Sequence, residues 1–229
     1  HNVFQTWMKR WLIGCVAKVL ANPKGQQNRM LILDGKQNIG KSYFVRWLCS
    51  PLPAFHIESP INPEDKDSSI RLMSKWIWEV SELGSTTRKA DREALKQFLS
   101  LEKVTVRKSY GHFDTEKPPM ANFIGTVNNE VGFLNDPTGS RRFMTCTITR
   151  MDWNYAIDID VNQVWAQAVA LFNNGEPWNL TKEEIEKANA VVTFGRRNQR
   201  QQMQEKETSQ QAEGTECQFF FKGRSCFRT

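Results

Sequence analysis

Apolar residues recur at steps of three and four along the start of the chain: Phe4, Trp7, Met8, Trp11, Leu12, Cys15, Val16 and Val19. That spacing puts them on one face of a helix and predicts one from Val3 to Ala21. Asn22-Pro23-Lys24-Gly25 ends it. The pattern then changes. Met30-Leu31-Ile32-Leu33 is a short unbroken apolar run, the mark of a strand buried on both faces. A glycine-bearing stretch follows, and Tyr43 to Leu48 predicts a helix stopped by Pro51 and Pro53.

Residues 57–69 are polar and carry proline, which predicts a loop. Lys75-Trp76-Ile77-Trp78-Glu79-Val80 predicts a second buried strand, and Arg88 to Leu99 a helix. Val104 to Arg107 predicts a strand, and Ser109 to Pro119 a polar, turn-like stretch. Two more strands are expected at Ala121–Asn128 and Arg142–Ile148. A helix is expected over Val161–Phe172, with Trp165, Ala168, Val169 and Phe172 on one face. Strands alternating with helices argue for an α/β fold with a mostly parallel central sheet. After Gly195 the chain turns Gln-rich and polar, which predicts a disordered or frayed segment. The expected organisation is an N-terminal helical segment (1–28), a nucleotide-binding domain (29–195) and a polar tail (196–229).

Bulk properties narrow the classes. A chain of 229 residues can bury one sizeable core. The net charge of +6 suits a polyanionic partner, nucleic acid being the usual one. No apolar run approaches the roughly 18 residues of a membrane span, so no membrane is expected. The five cysteines are scattered, with no Cys-x-x-Cys pair, which points to reduced thiols in a cytosol and against a zinc or disulfide framework. The start, His1-Asn2-Val3, reads as a piece of a longer chain.

The sharpest signal is Gly35-Lys36-Gln37-Asn38-Ile39-Gly40-Lys41-Ser42, followed by Tyr43. Its spacing matches the phosphate-binding loop, and it lies between a buried strand and a helix, the context that template requires. Gly35 lets the chain turn away from the strand, and Gly40 lets backbone N–H groups approach phosphate oxygens. The following helix aims its positive dipole end at the phosphates. Lys41 would neutralise the β- and γ-phosphates of ATP, and Ser42 would offer a hydroxyl to Mg²⁺.

Further stations say what is done with the nucleotide. Glu79 follows Trp76-Ile77-Trp78, and Glu82 comes three residues later. A carboxylate at the tip of a buried strand can hold the magnesium shell and polarise the attacking water. Which of the two has which role is open. Asn128 ends its strand and can hydrogen-bond the γ-phosphate or the water without adding charge; a turn residue is the plainer reading. Arg141 and Arg142 stand in a polar loop before a strand and suit an arginine finger reaching a neighbouring subunit.

These stations, in this order, resemble the virulence-associated E (VirE-like) family of phage and mobile-element proteins. They also resemble the wider superfamily 3 helicases, which have an AAA+-like core. The carrying segments are the glycine loop, Trp78-Glu79-Val80-Ser81-Glu82-Leu83, Leu95 to Ser100 and Val106-Arg107-Lys108-Ser109-Tyr110-Gly111. Phe123 to Asn128 and Thr138-Gly139-Ser140-Arg141-Arg142-Phe143 complete the set. The resemblance implies a P-loop NTPase of AAA+-like, three-layer fold. It makes Gly35–Ser42 the Walker A loop, Glu79 with Glu82 the acidic station, Asn128 the sensor and Arg141 or Arg142 the finger. The segment from Lys96 through Arg107 to Lys117 would match a DNA-contacting hairpin. Arg107, Lys108, His112 and Lys117 flank Tyr110 and Phe113 there, a pattern suited to backbone contact and base stacking. Two departures stand out: Ser109 replaces the usual proline before Tyr-Gly, and the acidic station is Glu-x-x-Glu rather than two adjacent acids.

The reading implied is an ATP- and Mg²⁺-dependent helicase-like motor on single-stranded or forked DNA. It would self-associate into a ring, a hexamer by the family pattern, and could carry an upstream primase domain. It would work in the cytoplasm of a bacterial host, in replication of a phage or mobile element. Two other readings compete: a nucleotide-dependent DNA-binding switch or clamp, and a P-loop small-molecule kinase.

Overall fold

The periodic segments fold largely where their patterns place them. A computed structural model of the chain describes residues 3–21, 29–81, 83, 95–107, 114–128 and 142–186, all within the compact unit spanning 1–189. The elements are α1 (Val3–Leu20), β1 (Met30–Gly35), α2 (Lys41–Cys49), β2 (His56–Glu58), α3 (Lys66–Ser74) and β3 (Ile77–Val80). Residues 95–99 are helical and form α4. Then come β4 (Val104–Arg107), β5 (Asp114–Lys117), β6 (Asn122–Val127), β7 (Phe143–Ile148), α5 (Tyr155–Asp158) and α6 (Val161–Asn173). The tail predicted over 196–229 lies outside the described residues.

Two expectations need correction. The loop expected over 57–69 contains the end of β2 and the start of α3. Asp65 caps α3, its side chain accepting from the Asp67 N–H at 3.1 Å. The turn-like stretch expected over 109–119 ends in β5, an all-polar strand that pairs antiparallel with β4, Val104 opposite Lys117 and Arg107 opposite Asp114. Asp-Thr-Glu-Lys offers no apolar alternation, so only the pairing reveals the strand.

The central sheet is five-stranded, in the order β2-β3-β6-β1-β7. Every pairing in it is parallel. β1 is therefore interior, flanked by β6 and β7. Alternate side chains serve opposite faces. Leu31, Leu33, Ile77, Ile124, Met144 and Cys146 pack beneath α1, α2 and α6. Met30, Ile32, Trp78, Val80, Phe123 and Val127 pack against α3, α4 and β4. This is a three-layer α/β arrangement around a parallel sheet, with the loop-bearing strand inside the sheet.

α1 belongs to that core. Trp7, Trp11, Leu12, Cys15 and Val16 are buried in it, and each large apolar side chain so buried contributes about 2 kcal/mol. The indoles are tied as well as packed. Trp11 donates to the Phe123 carbonyl (3.0 Å), Trp76 to Cys15 (3.0 Å), Trp78 to Ser59 (2.9 Å) and Trp165 to Leu48 (2.9 Å). Burying tryptophan demands a partner for its N–H, and each bond ties together two separate stretches of chain. Lys18 is drawn in too, its Nζ donating to the Ala121 carbonyl at 2.8 Å; burial pulls its pKa down to about 8 against a smaller opposing effect of Cys15. Cys15, Cys49 and Cys146 are buried free thiols, and burial pushes Cys49 and Cys146 up to about 12, so they stay protonated and inert at neutral pH.

Candidate nucleotide site

The glycine loop sits where the order of strands puts it, at the carboxyl end of β1. A Cβ on Gly35 would lie 2.5 Å from the Ile148 carbonyl oxygen of β7, so only glycine lets the two strands run this close before the chain turns away. Lys36, Gln37 and Asn38 are exposed, and Ile39 and Gly40 half-buried. Asn38 (φ 62°) and Gly40 (φ 102°) both take the left-handed conformation. Asn tolerates that region and glycine enters it freely. Left-handed residues in a turn direct successive N–H groups to one side, the concavity that anions occupy. α2 then starts at Lys41, with Gly40 as a cap that has no side chain, which leaves first-turn N–H groups for a ligand.

Lys41 joins the loop to the neighbouring strand. Its Nζ donates to the Gly35 carbonyl (2.8 Å), the Lys36 carbonyl (2.8 Å) and Asn128 Oδ1 (3.1 Å). Burial lowers its pKa, and the carboxylate of Asp34 pushes back. Asp34 is itself buried, one residue before Gly35. Sequence gives no hint of its place, because an acid closing an apolar run looks like the run's solvated end. Ser42 and Tyr43 follow Lys41 in the first turn of α2, and Lys41 joins the loop to Asn128.

Glu79 does not join them. It is fully buried (0 % exposed) within β3, paired in register with Ile124 of β6. Asn128 lies four residues beyond Ile124, so Glu79 is about 13 Å short of that level along the strands, at roughly 3.3 Å per residue. Its carboxylate faces the side of α2's far end. His56 Nε2 is 3.5 Å from Oε2, and the charge of Glu79 adds to the elevation of the Cys49 pKa. Neither carboxylate oxygen has a hydrogen-bond partner among the described residues. Glu79 is thus penultimate in β3 yet level with the middle of β6: a strand is visible in sequence, but its offset against its neighbours is not. Glu82, Arg141, Lys108, Tyr110 and His112 lie outside the described residues.

Of the two arginines, Arg142 is anchored inward, its Nε donating to Ser100 Oγ at 2.8 Å. Among the basic positions assigned to DNA, Lys96 is buried rather than displayed. Lys117 is exposed at the end of β5, and Arg107 ends β4 opposite Asp114. Val104 and Val106 anchor the hairpin on the sheet's second face. Elsewhere, an apolar groove of about 280 Å³ is lined by Val16, Val19, Leu52, Phe55, Trp76 and Trp165. It opens past the C-terminal end of α2, far from the loop and with no charged lining residue, so it is not the seat of phosphate chemistry.

Among the described residues no group of three His, Cys, Asp or Glu side chains could hold a metal alone. No helix among them is long and apolar enough to cross a membrane.

Two solved structures of the NrS-1 C-terminal region are similar, one an A form apo structure at 17% identity, the other an apo structure of residues 305–718 at 18%, each with a TM-score of 0.48. The first match covers 82% of this chain and 46% of that one, the second 82% and 47%, so the chain spans about half their length. No curated protein matches. The model of the virulence-associated protein E-like domain matches residues 1–211, and the chain belongs to that family.

Proposed function

We propose that this chain is an ATP-hydrolysing, DNA-binding motor of helicase type, acting in replication of a phage or mobile element. One observation carries the reading: the Lys41 ammonium ties the phosphate loop on β1 to Asn128 at the end of β6. A lysine in this position exchanges loop carbonyls for phosphate oxygens when nucleotide enters, and an amide beside it senses the γ-phosphate. The left-handed Asn38 and Gly40 and the start of α2 fit a triphosphate in shape and sign.

The other roles follow as parts of the same proposal. Lys36 to Tyr43 wrap the nucleotide, and the Ser42 hydroxyl takes a place in the Mg²⁺ shell. Glu82, three residues after Glu79 in sequence, is assigned the acid beside metal and water. Glu79 is left to the buried pair with His56. Arg141 is assigned the finger across a ring interface, because Arg142 is held by Ser100. The β4–β5 hairpin, with Arg107, Lys108, Tyr110, His112 and Lys117, is assigned to DNA.

DNA binding across a salt series tests the motor reading. Replacing Arg107 and Lys108 together with alanine lowers single-strand affinity and reduces the salt slope by about one unit for each phosphate no longer neutralised, with ATP affinity unchanged. An unchanged affinity and slope would remove the hairpin from the DNA site.

A further inference from the structure

Two aromatic side chains next to the phosphate loop remain half in water. Trp153 is 52% exposed and Tyr43 49% exposed, with ring centroids 5.6 Å apart and planes at 59°. Tyr43 stands in the first turn of α2, right after Lys41 and Ser42. Trp153 comes from the segment after β7, the strand beside β1 on the side away from Asn128. Trp153 lies against Gly40: a Cβ there would come within 2.6 Å of the Trp153 ring and 3.1 Å of the Met151 sulfur. The glycine that lets phosphate approach the backbone thus also lets an indole lie against the loop.

The Trp153 segment is held in place. Asp152 Oδ1 accepts from the Asn154 N–H at 3.1 Å, and the Tyr155 N–H bonds back to the Asp152 carbonyl at 3.3 Å. Tyr155 packs edge-on against Phe44 (5.6 Å) and Trp47 (5.0 Å) of α2. The exposed indole is therefore a fixed surface beside the loop, not a side chain left over from the core. A nucleotide whose phosphates sit on the loop must place its base one ribose away. Beside the loop, among the described residues, Trp153 and Tyr43 offer exposed aromatic rings.

We infer that Trp153 and Tyr43 form the platform on which the nucleobase stacks, with Met151 filling the space behind it. This rests on the nucleotide-binding reading above and adds to it the residues that distinguish a nucleotide from a bare polyphosphate. Stacking uses the π-face that every base presents, so the platform contributes affinity more than discrimination between ATP and GTP.

Calorimetric titration of the 229-residue chain with Mg·ATP and, separately, with inorganic tripolyphosphate tests the inference. Trp153→Ala weakens ATP about tenfold and leaves tripolyphosphate unchanged; Trp153→Phe, which keeps a ring, stays within about threefold of the parent. Tyr43→Leu shows the same ligand-selective weakening and guards against a folding defect in the first variant. Unchanged ATP affinity in Trp153→Ala, or equal weakening of both ligands, overturns the platform. Lys41→Ala weakens both ligands alike. If the parent chain binds neither ligand, the nucleotide reading itself falls, a result distinct from failure of the platform alone.

Discussion

Lys41→Ala lowers ATP turnover at least about 100-fold, the scale seen when a preorganised charge facing the transition state is removed. The reason lies in what Lys41 touches. Its ammonium occupies the turn of the loop, 2.8 Å from two carbonyls and 3.1 Å from Asn128. The loop's other lysine, Lys36, cannot take over, because it is exposed and offers its carbonyl to Lys41. The fold survives the change: the core of β1 and α2 is made by Leu31, Leu33, Val45 and Leu48, none of which depends on Lys41. Circular dichroism and a melting curve close to the parent's, alongside abolished turnover, are the expected pair. Retained turnover would take the loop out of the mechanism.

The second large effect separates the two acids. Glu82→Gln lowers kcat about 100-fold or more while ATP still binds, since an amide keeps the shape and loses the charge and basicity. Glu79→Gln leaves kcat within about tenfold and acts on stability, because Glu79 is buried beside His56 and Cys49 and about 13 Å below the level of Asn128. Steady-state kinetics beside melting curves reads both. A kcat collapse in Glu79→Gln with normal turnover in Glu82→Gln would reverse the assignment.

These two variants mark the boundary of what sequence can say. The loop between β1 and α2 is legible because its chemistry is local: eight consecutive residues with a strand before and a helix after. The buried strands β1, β3, β6 and β7 are legible because unbroken apolar runs have few other uses. What escapes is relational. Glu79 stands near the end of β3, as its place at the close of an apolar run suggests, yet register sets that end level with the middle of β6. Lys96 looks like a solvated charge in a basic stretch, yet α4 packs on the sheet and carries it inside. Arg141 and Arg142 are indistinguishable neighbours until one is seen bound to Ser100. β2 and β5 are short and polar, so pairing rather than pattern defines them. Trp153 is far from Gly40 in sequence and meets it only because β7 runs beside β1.

The measurement that tests the central claim most directly is steady-state hydrolysis of Mg·ATP by this chain, titrated with single-stranded DNA. Turnover that rises with DNA and saturates, and that is absent from Lys41→Ala, is the expected result. Turnover indifferent to DNA at every concentration would contradict the coupling of this nucleotide site to a DNA-binding motor.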